Sequence, residues 1–211
     1  MKIVTLALAF ALALALPARA LDLGSLTGAW SARGTEAVAV DFPVGDLTVA
    51  AGDDDSVSVV LEVRCTHGGR GCIERSRRLR IVTDQVGARR KIRVEGYPKF
   101  GSRGLHLELR VTVPRRTALH LDVGVGCLDI RGVAGDVAVE MGVGEATIHM
   151  PEHDVRSVSA AVGVGCADLK GRGLRVDGQS FISSHLHWSD GPGSARVSLH
   201  LGVGDASVRL D

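Results

Sequence analysis

LDVGVGCLDI, residues 121–130, carries a glycine–valine–glycine core that returns in VEMGVGEATI (139–148), AAVGVGCADL (160–169) and LHLGVGDASV (199–208). Side chains of a strand alternate between two faces, so its apolar residues hold one parity. Leu119, Leu121, Val123 and Val125 are odd; after the motif Leu128 and Ile130 are even. The second copy slips in the same way, from Val139 and Met141 to Ala146 and Ile148. So do the third (Ala160, Val162 and Val164, then Ala167 and Leu169) and the fourth (Leu199, Leu201 and Val203, then Ala206 and Val208). A one-residue slip at a fixed place is the mark of a β-bulge or strand corner, and glycine supplies the backbone conformations such a corner needs. The structural corners are Gly124, Gly126, Gly142, Gly144, Gly163, Gly165, Gly202 and Gly204, with the central valine expected on the buried face. A fifth copy, DFPVGDLTV (41–49), has Pro43 in place of the first glycine, so that position need not offer a ladder N–H.

The central valines at 44, 125, 143, 164 and 203 are separated by 81, 18, 21 and 39 residues, near multiples of twenty. This period predicts an all-β chain, a β-solenoid of roughly twenty-residue coils with Gly-Val-Gly corners; an antiparallel β-sandwich is the alternative. FISSHLHWSD (181–190) stands where a coil is missing, and strand runs over 57–63, 79–82, 91–94 and 105–113 keep the pattern without the motif. Glycine is 27 of 211 residues, about double the usual ~7% share, and only seven residues are aromatic. The glycines match neither a phosphate loop, nor a dinucleotide fingerprint, nor a calcium β-roll with paired acids.

Residues 1–20, MKIVTLALAFALALALPARA, combine a lysine, a short apolar core and an Ala-Arg-Ala end, which predicts a secretory signal peptide. A lead-in follows over 21–35, then a single β-repeat domain over 36–211. No apolar segment beyond the signal is long enough to span a bilayer, so the mature chain is expected in the periplasm or on the cell surface of a bacterium, not as an integral membrane protein. The net charge of +1 argues against nucleic acid as a partner.

LELRVTVPRRTALHLDVGVGCLDIRGVAGDVAVEMGVGEATI (107–148) resembles the bacterial adhesin-like β-strand-repeat family of unknown function, related to the head domain of auto-transporter adhesins. The resemblance implies an exported β-solenoid without established catalysis, and Gly-Val-Gly here replaces the family's commoner Ser-Gly-Asp.

Cys65 and Cys72 enclose THGGRG, and in an oxidising compartment they are expected to close a glycine-rich hairpin as a disulfide. Cys127 and Cys166 follow the same motif 39 residues apart. With one coil between them they lie out of bonding reach; with a 39-residue turn they are neighbours. His185 and His187 share a strand face, and His149 and His153 stand near Glu152 and Asp154, but zinc needs three or four converging ligands. No cofactor is expected. Ten cations against two anions lie between Arg64 and Arg93, and Arg77, Arg78, Arg80, Arg89, Arg90, Lys91 and Arg93 make a candidate anion-binding strip. The function expected is a non-enzymatic cell-envelope scaffold or adhesin-like module for an anionic envelope glycan or lipid. A regulatory partner of a membrane sensor is the alternative among envelope proteins. A polysaccharide-active β-helix enzyme needs an aromatic-lined cleft, which Trp30, Tyr97 and Trp188 do not furnish.

Overall fold

A computed structural model describes residues 21–52, 55–66, 70–98, 104–178 and 182–211; the expected signal peptide lies outside them. The described residues are mostly strand: β1 (Leu21–Ser31), β2 (Ala37–Gly52), β3 (Ser56–Cys65), β4 (Arg80–Val86), β5 (Arg89–Glu95), β6 (Leu105–Pro114) and β7 (Ala118–Arg131) come first. β8 (Val137–Met150), β9 (Val155–Gly171), β10 (Leu174–Asp177), β11 (Ile182–Trp188) and β12 (Ala195–Leu210) follow, with a short helix α1 (Arg70–Ser76) between β3 and β4 and a 3-10 turn (Glu152–Asp154) between β8 and β9.

The five copies of the motif lie in β2, β7, β8, β12 and β9, which pair in that spatial order, all parallel and in register. Val44 faces Val125, Val125 faces Val143, Val143 faces Val203, and Val203 faces Val164. These strands cannot be straight. Leu119 pairs with Val137, yet only residues 132–136 link Arg131 to Val137. Six chain steps reach at most about 23 Å, whereas a straight strand would carry Arg131 about 40 Å from Leu119. Each long strand therefore folds double at its glycines into a first and a second limb.

The first limbs extend laterally through β5 and β4 on one side and β11 on the other. The second limbs extend through β6, β3 and β1 on one side and β10 on the other. Residues of both limbs close on one core. In β7 these are Leu119, Leu121 and Val123, then Leu128 and Ile130, all at or below 2% exposure. The parity slip read from the sequence is thus the change of limb. Burying each such side chain stabilises the fold by about 1.5–3 kcal/mol.

Two expectations are corrected. The central valines do form a stacked column, but Val125, Val143, Val164 and Val203 are 41–46% exposed rather than buried. The corner has already begun at the preceding glycine, so the valine stands on its convex side. Second, the spatial order is not the chain order: β12 lies between β8 and β9. Residues 181–190 add no coil, because β11 runs antiparallel on the first limb of β9. The strands between 56 and 114 likewise flank the stack, mostly antiparallel to one another. Within the motif, positive φ is confined to the second glycine of each pair. Gly144 has φ +144° and a Cβ there would strike the Gly126 carbonyl, and Gly126, Gly165 and Gly204 share its conformation. Gly142 has no such φ; it is small because a Cβ would stand 2.6 Å from the Gly124 oxygen. Pro43 fits because that position is skipped in the β2–β7 ladder. The lead-in is also structural in part, since β1 pairs with β3.

Gly144→Ala is expected to destabilise the fold by about 2–4 kcal/mol, combining left-handed backbone with a collision. Leu121→Ala should cost about 2–5 kcal/mol, but Val143→Ser less than about 1 kcal/mol, because its side chain is half in water. Urea unfolding with an unchanged m-value checks all three; a Val143→Ser loss equal to that of Leu121→Ala contradicts the outward column.

A candidate binding surface of in-register rows

Parallel pairing in register turns each sequence offset from the central valine into a row of side chains crossing the sheet at about 4.8 Å per strand. Two residues after the valine stand Asp46, Cys127, Glu145, Asp205 and Cys166, on β2, β7, β8, β12 and β9 in turn. Four residues after it stand Thr48, Asp129, Thr147, Ser207 and Asp168, the Ser207 hydroxyl donating to Asp168 at 3.2 Å. Six residues after it the row is cationic. Arg131, His149, Arg209 and Lys170 face one another in order, and Arg175 of β10 continues the line beyond Lys170.

This cationic row covers four strand spacings, about 19 Å. Arg131 is anchored by Asp129, its Nε donating at 2.9 and 3.0 Å, and this hydrogen bond above all raises the pKa of its guanidinium. Lys170 lies 3.1 Å from Asp168, and Arg175 3.0 Å from Asp177. These own-strand carboxylates fix the stems while leaving the heads in water: the side chains of Arg131, Lys170 and Arg175 are 66%, 47% and 70% exposed. Such exposed pairs add little stability.

The strip expected from clustered arginines is more divided. Arg77 and Arg78 follow α1 in a turn and Arg80 opens β4, all three exposed. Arg89, Lys91 and Arg93 share the outer face of β5, interleaved with acids: Lys91 is 3.9 Å from Asp41, and Arg93 is 2.5 Å from Asp84 and 3.6 Å from Glu95. Arg89 bonds the Nε2 of His120 at 3.2 Å. Burial and then the Arg89 charge push the His120 pKa down. Arg90 turns to the opposite face, its guanidinium 5.7 Å from the Trp30 ring centre and donating to Gln85 at 2.5 Å. Four of the seven cations are thus engaged locally. On β3 and β6, Glu62 accepts from Arg64 at 2.8 Å and from Arg110 at 2.6 Å, bonds that pull its carboxyl below the usual range.

Cys65 and Cys72 form the expected disulfide, Cα to Cα 6.2 Å, but Cys72 belongs to α1 rather than to a hairpin, so the bond ties that helix to the end of β3. Cys127 and Cys166 are free and exposed. With both β8 and β12 between them they stand three strand spacings apart, about 14 Å. His185 and His187 both point outward on β11, and Asp154 is engaged by Arg115 at 2.7 Å. Among the described residues no three His, Cys, Asp or Glu converge to hold a metal ion.

The cationic row escaped a search for local clusters because its members are spread from 131 to 209. Alignment of the copies on their central valines exposes it, since positions 131, 149, 170 and 209 share one offset.

Burial, then the charges of Asp46 and Glu145, push the Cys127 thiol up. The thiolate is the reactive form. Alkylation of Cys127 in a Cys166→Ser background should therefore rise through a midpoint above the ordinary thiol range. Asp46→Asn with Glu145→Gln should lower that midpoint; an unmoved profile contradicts the assigned cause.

No family model and no curated protein matches the chain. Its fold is that of a "putative cell adhesion protein" from Clostridium sporogenes: the TM-score is 0.57 at 16% identity, covering 89% of this chain and 99% of that one. A "putative adhesin" from Bacteroides fragilis aligns over 89% of this chain and 98% of its own at 12% identity, with a TM-score of 0.31. At these identities the likeness is one of fold.

Proposed function

We propose that the protein is an exported, non-catalytic adhesin-like module, a short two-sided β-coil whose flat second-limb face binds an anionic envelope glycan. The observation that carries this reading is the cationic row Arg131, His149, Arg209, Lys170 and Arg175. A linear polyanion laid across the strands meets one basic group per strand. Arginine supplies planar, paired donors for sulfate, phosphate or carboxylate. Arg77, Arg78 and Arg80 offer a second, smaller cationic patch. The adhesion name of the Clostridium structure supports a binding role. An intramolecular disulfide supports a site outside the cytoplasm, periplasmic or at the surface. Among the described residues no helix is long and apolar enough to cross a membrane.

The test is titration of the purified protein with lipopolysaccharide, an acidic polysaccharide and anionic vesicles. Affinity should fall at least tenfold from low to physiological salt, where screening sets in at about 8 Å. Reversing Arg131, Lys170, Arg175 and Arg209 to glutamate should remove binding with the melting curve unchanged, because all four are exposed. Loss on reversing Arg77, Arg78 and Arg80 alone moves the site to that patch. Binding to vesicles but to neither polysaccharide makes the ligand a lipid. Salt-independent binding, or none, removes the polyanion reading.

A further inference from the structure

The exposed aliphatic side chains are not scattered. Among the described residues the large apolar ones most open to solvent are Leu26, Val86, Val125, Val143, Val164, Ile182 and Val203. Five of these seven stand in one row, ordered Val125, Val143, Val203, Val164, Ile182 from β7 to β11, each facing the next across a ladder. The row is an apolar ridge about 19 Å long on the convex edge of the corner. Strands β7, β8, β9 and β12 bury their other valines but leave these four in water, forgoing stabilisation at each of these copies, and a contiguous exposed apolar line is the usual sign of a docking surface.

What flanks the ridge selects its occupant. On the first-limb side the glycine row 124, 142, 202 and 163 has no side chains, and there the surface sinks into a groove of about 570 Å³. Asp122, Glu140, His200 and His185 line that groove. Ser183, the one described non-glycine residue with positive φ (58°), lies at its β11 end. On the other side of the ridge stand Asp46, Cys127, Glu145, Asp205 and Cys166. Neither flanking row contains a lysine or arginine on β7, β8, β12 or β9.

We propose that groove and ridge together receive an extended segment of a partner protein that is cationic and aliphatic on alternate residues. The acidic rows argue for that charge. A second copy docked through the same ridge would set acid against acid, and an anionic membrane would meet the same repulsion. A neutral bilayer would strip water from the carboxylates without pairing them. An extended peptide of about six residues spans the groove at ~3.3 Å per residue. Its side chains alternate, so one set lies along the valines while the other reaches Asp122 and Glu140. The surface is distinct from the cationic row and of opposite sign, so the inference stands independently of the anionic-glycan reading.

The probe is a fluorescently labelled synthetic heptapeptide of alternating lysine and valine, titrated against the full chain by anisotropy. Alternating lysine–serine and glutamate–valine peptides are the comparisons. The lysine–valine peptide should bind at least tenfold tighter than either. Asp122→Asn with Glu140→Gln, and separately Val143→Ser with Val203→Ser, should each weaken it at least tenfold, with melting curves confirming the fold. The Arg131, Lys170, Arg175 and Arg209 reversal should leave it bound at least as tightly. Equal binding of the lysine–serine peptide, or full binding by the valine variant, overturns the proposal in favour of unspecific charge attraction. Concentration-dependent dimerisation that the valine variant abolishes assigns the ridge to a second copy. Binding to zwitterionic vesicles that it abolishes assigns the ridge to lipid.

Discussion

Backbone packed directly on backbone along the glycine line is the constraint on which the rest depends. A Cβ at Gly142 would lie 2.6 Å from the Gly124 oxygen, one at Gly202 2.5 Å from that of Gly142, and one at Gly163 2.6 Å from that of Gly202. Any side chain there would drive neighbouring strands beyond the ladder spacing. With glycine there on four strands and Pro43 on β2, five strands fold double at the same level and stay hydrogen-bonded on both limbs. The single core follows, because both limbs then present their apolar faces to one another. So do the rows, since a strand bent at a different residue would lose register with its neighbours in one limb or the other.

The bend itself was legible in the residues, because a parity slip repeated at the same place has few other causes. Its direction was not. Alternation carries Leu119, Leu121 and Val123 inward and predicts the same for Val125, but alternation describes a straight strand, and the chain has started to turn at Gly124. Strand order was hidden for another reason. The copies around Val164 and Val203 present nearly the same edge, and nothing local says which one meets β8. The choice is made far away: β10 and β11 occupy the outer side of β9, leaving its inner side for β12. The basic strip shows a similar limit. Arg89 to Arg93 cluster in sequence, yet alternation sends Arg90 to Trp30, and the acids that neutralise Lys91 and Arg93 come partly from β2 and β4.

Charge is sorted on this molecule by offset rather than by segment. The acidic row lies two residues past the valine and the cationic row six past it, about 13 Å apart along a limb. That exceeds the screening distance of about 8 Å at physiological ionic strength. A net charge of +1 therefore conceals rows of opposite sign, although Asp129, Asp168 and Asp177 pair with Arg131, Lys170 and Arg175 of the cationic one. The closed network of Glu62, Glu108, Arg64 and Arg110 continues the acidic row onto β6 and β3 but holds its own counter-charges.

The place of β12 has a kinetic side. It is translated after both of the strands it separates, so while the chain emerges β8 and β9 must wait with a vacant slot about two strand spacings wide. Until it is filled, each presents an unpaired parallel edge of the kind that recruits foreign strands. Closure joins segments distant along the chain, which is slow compared with local pairing.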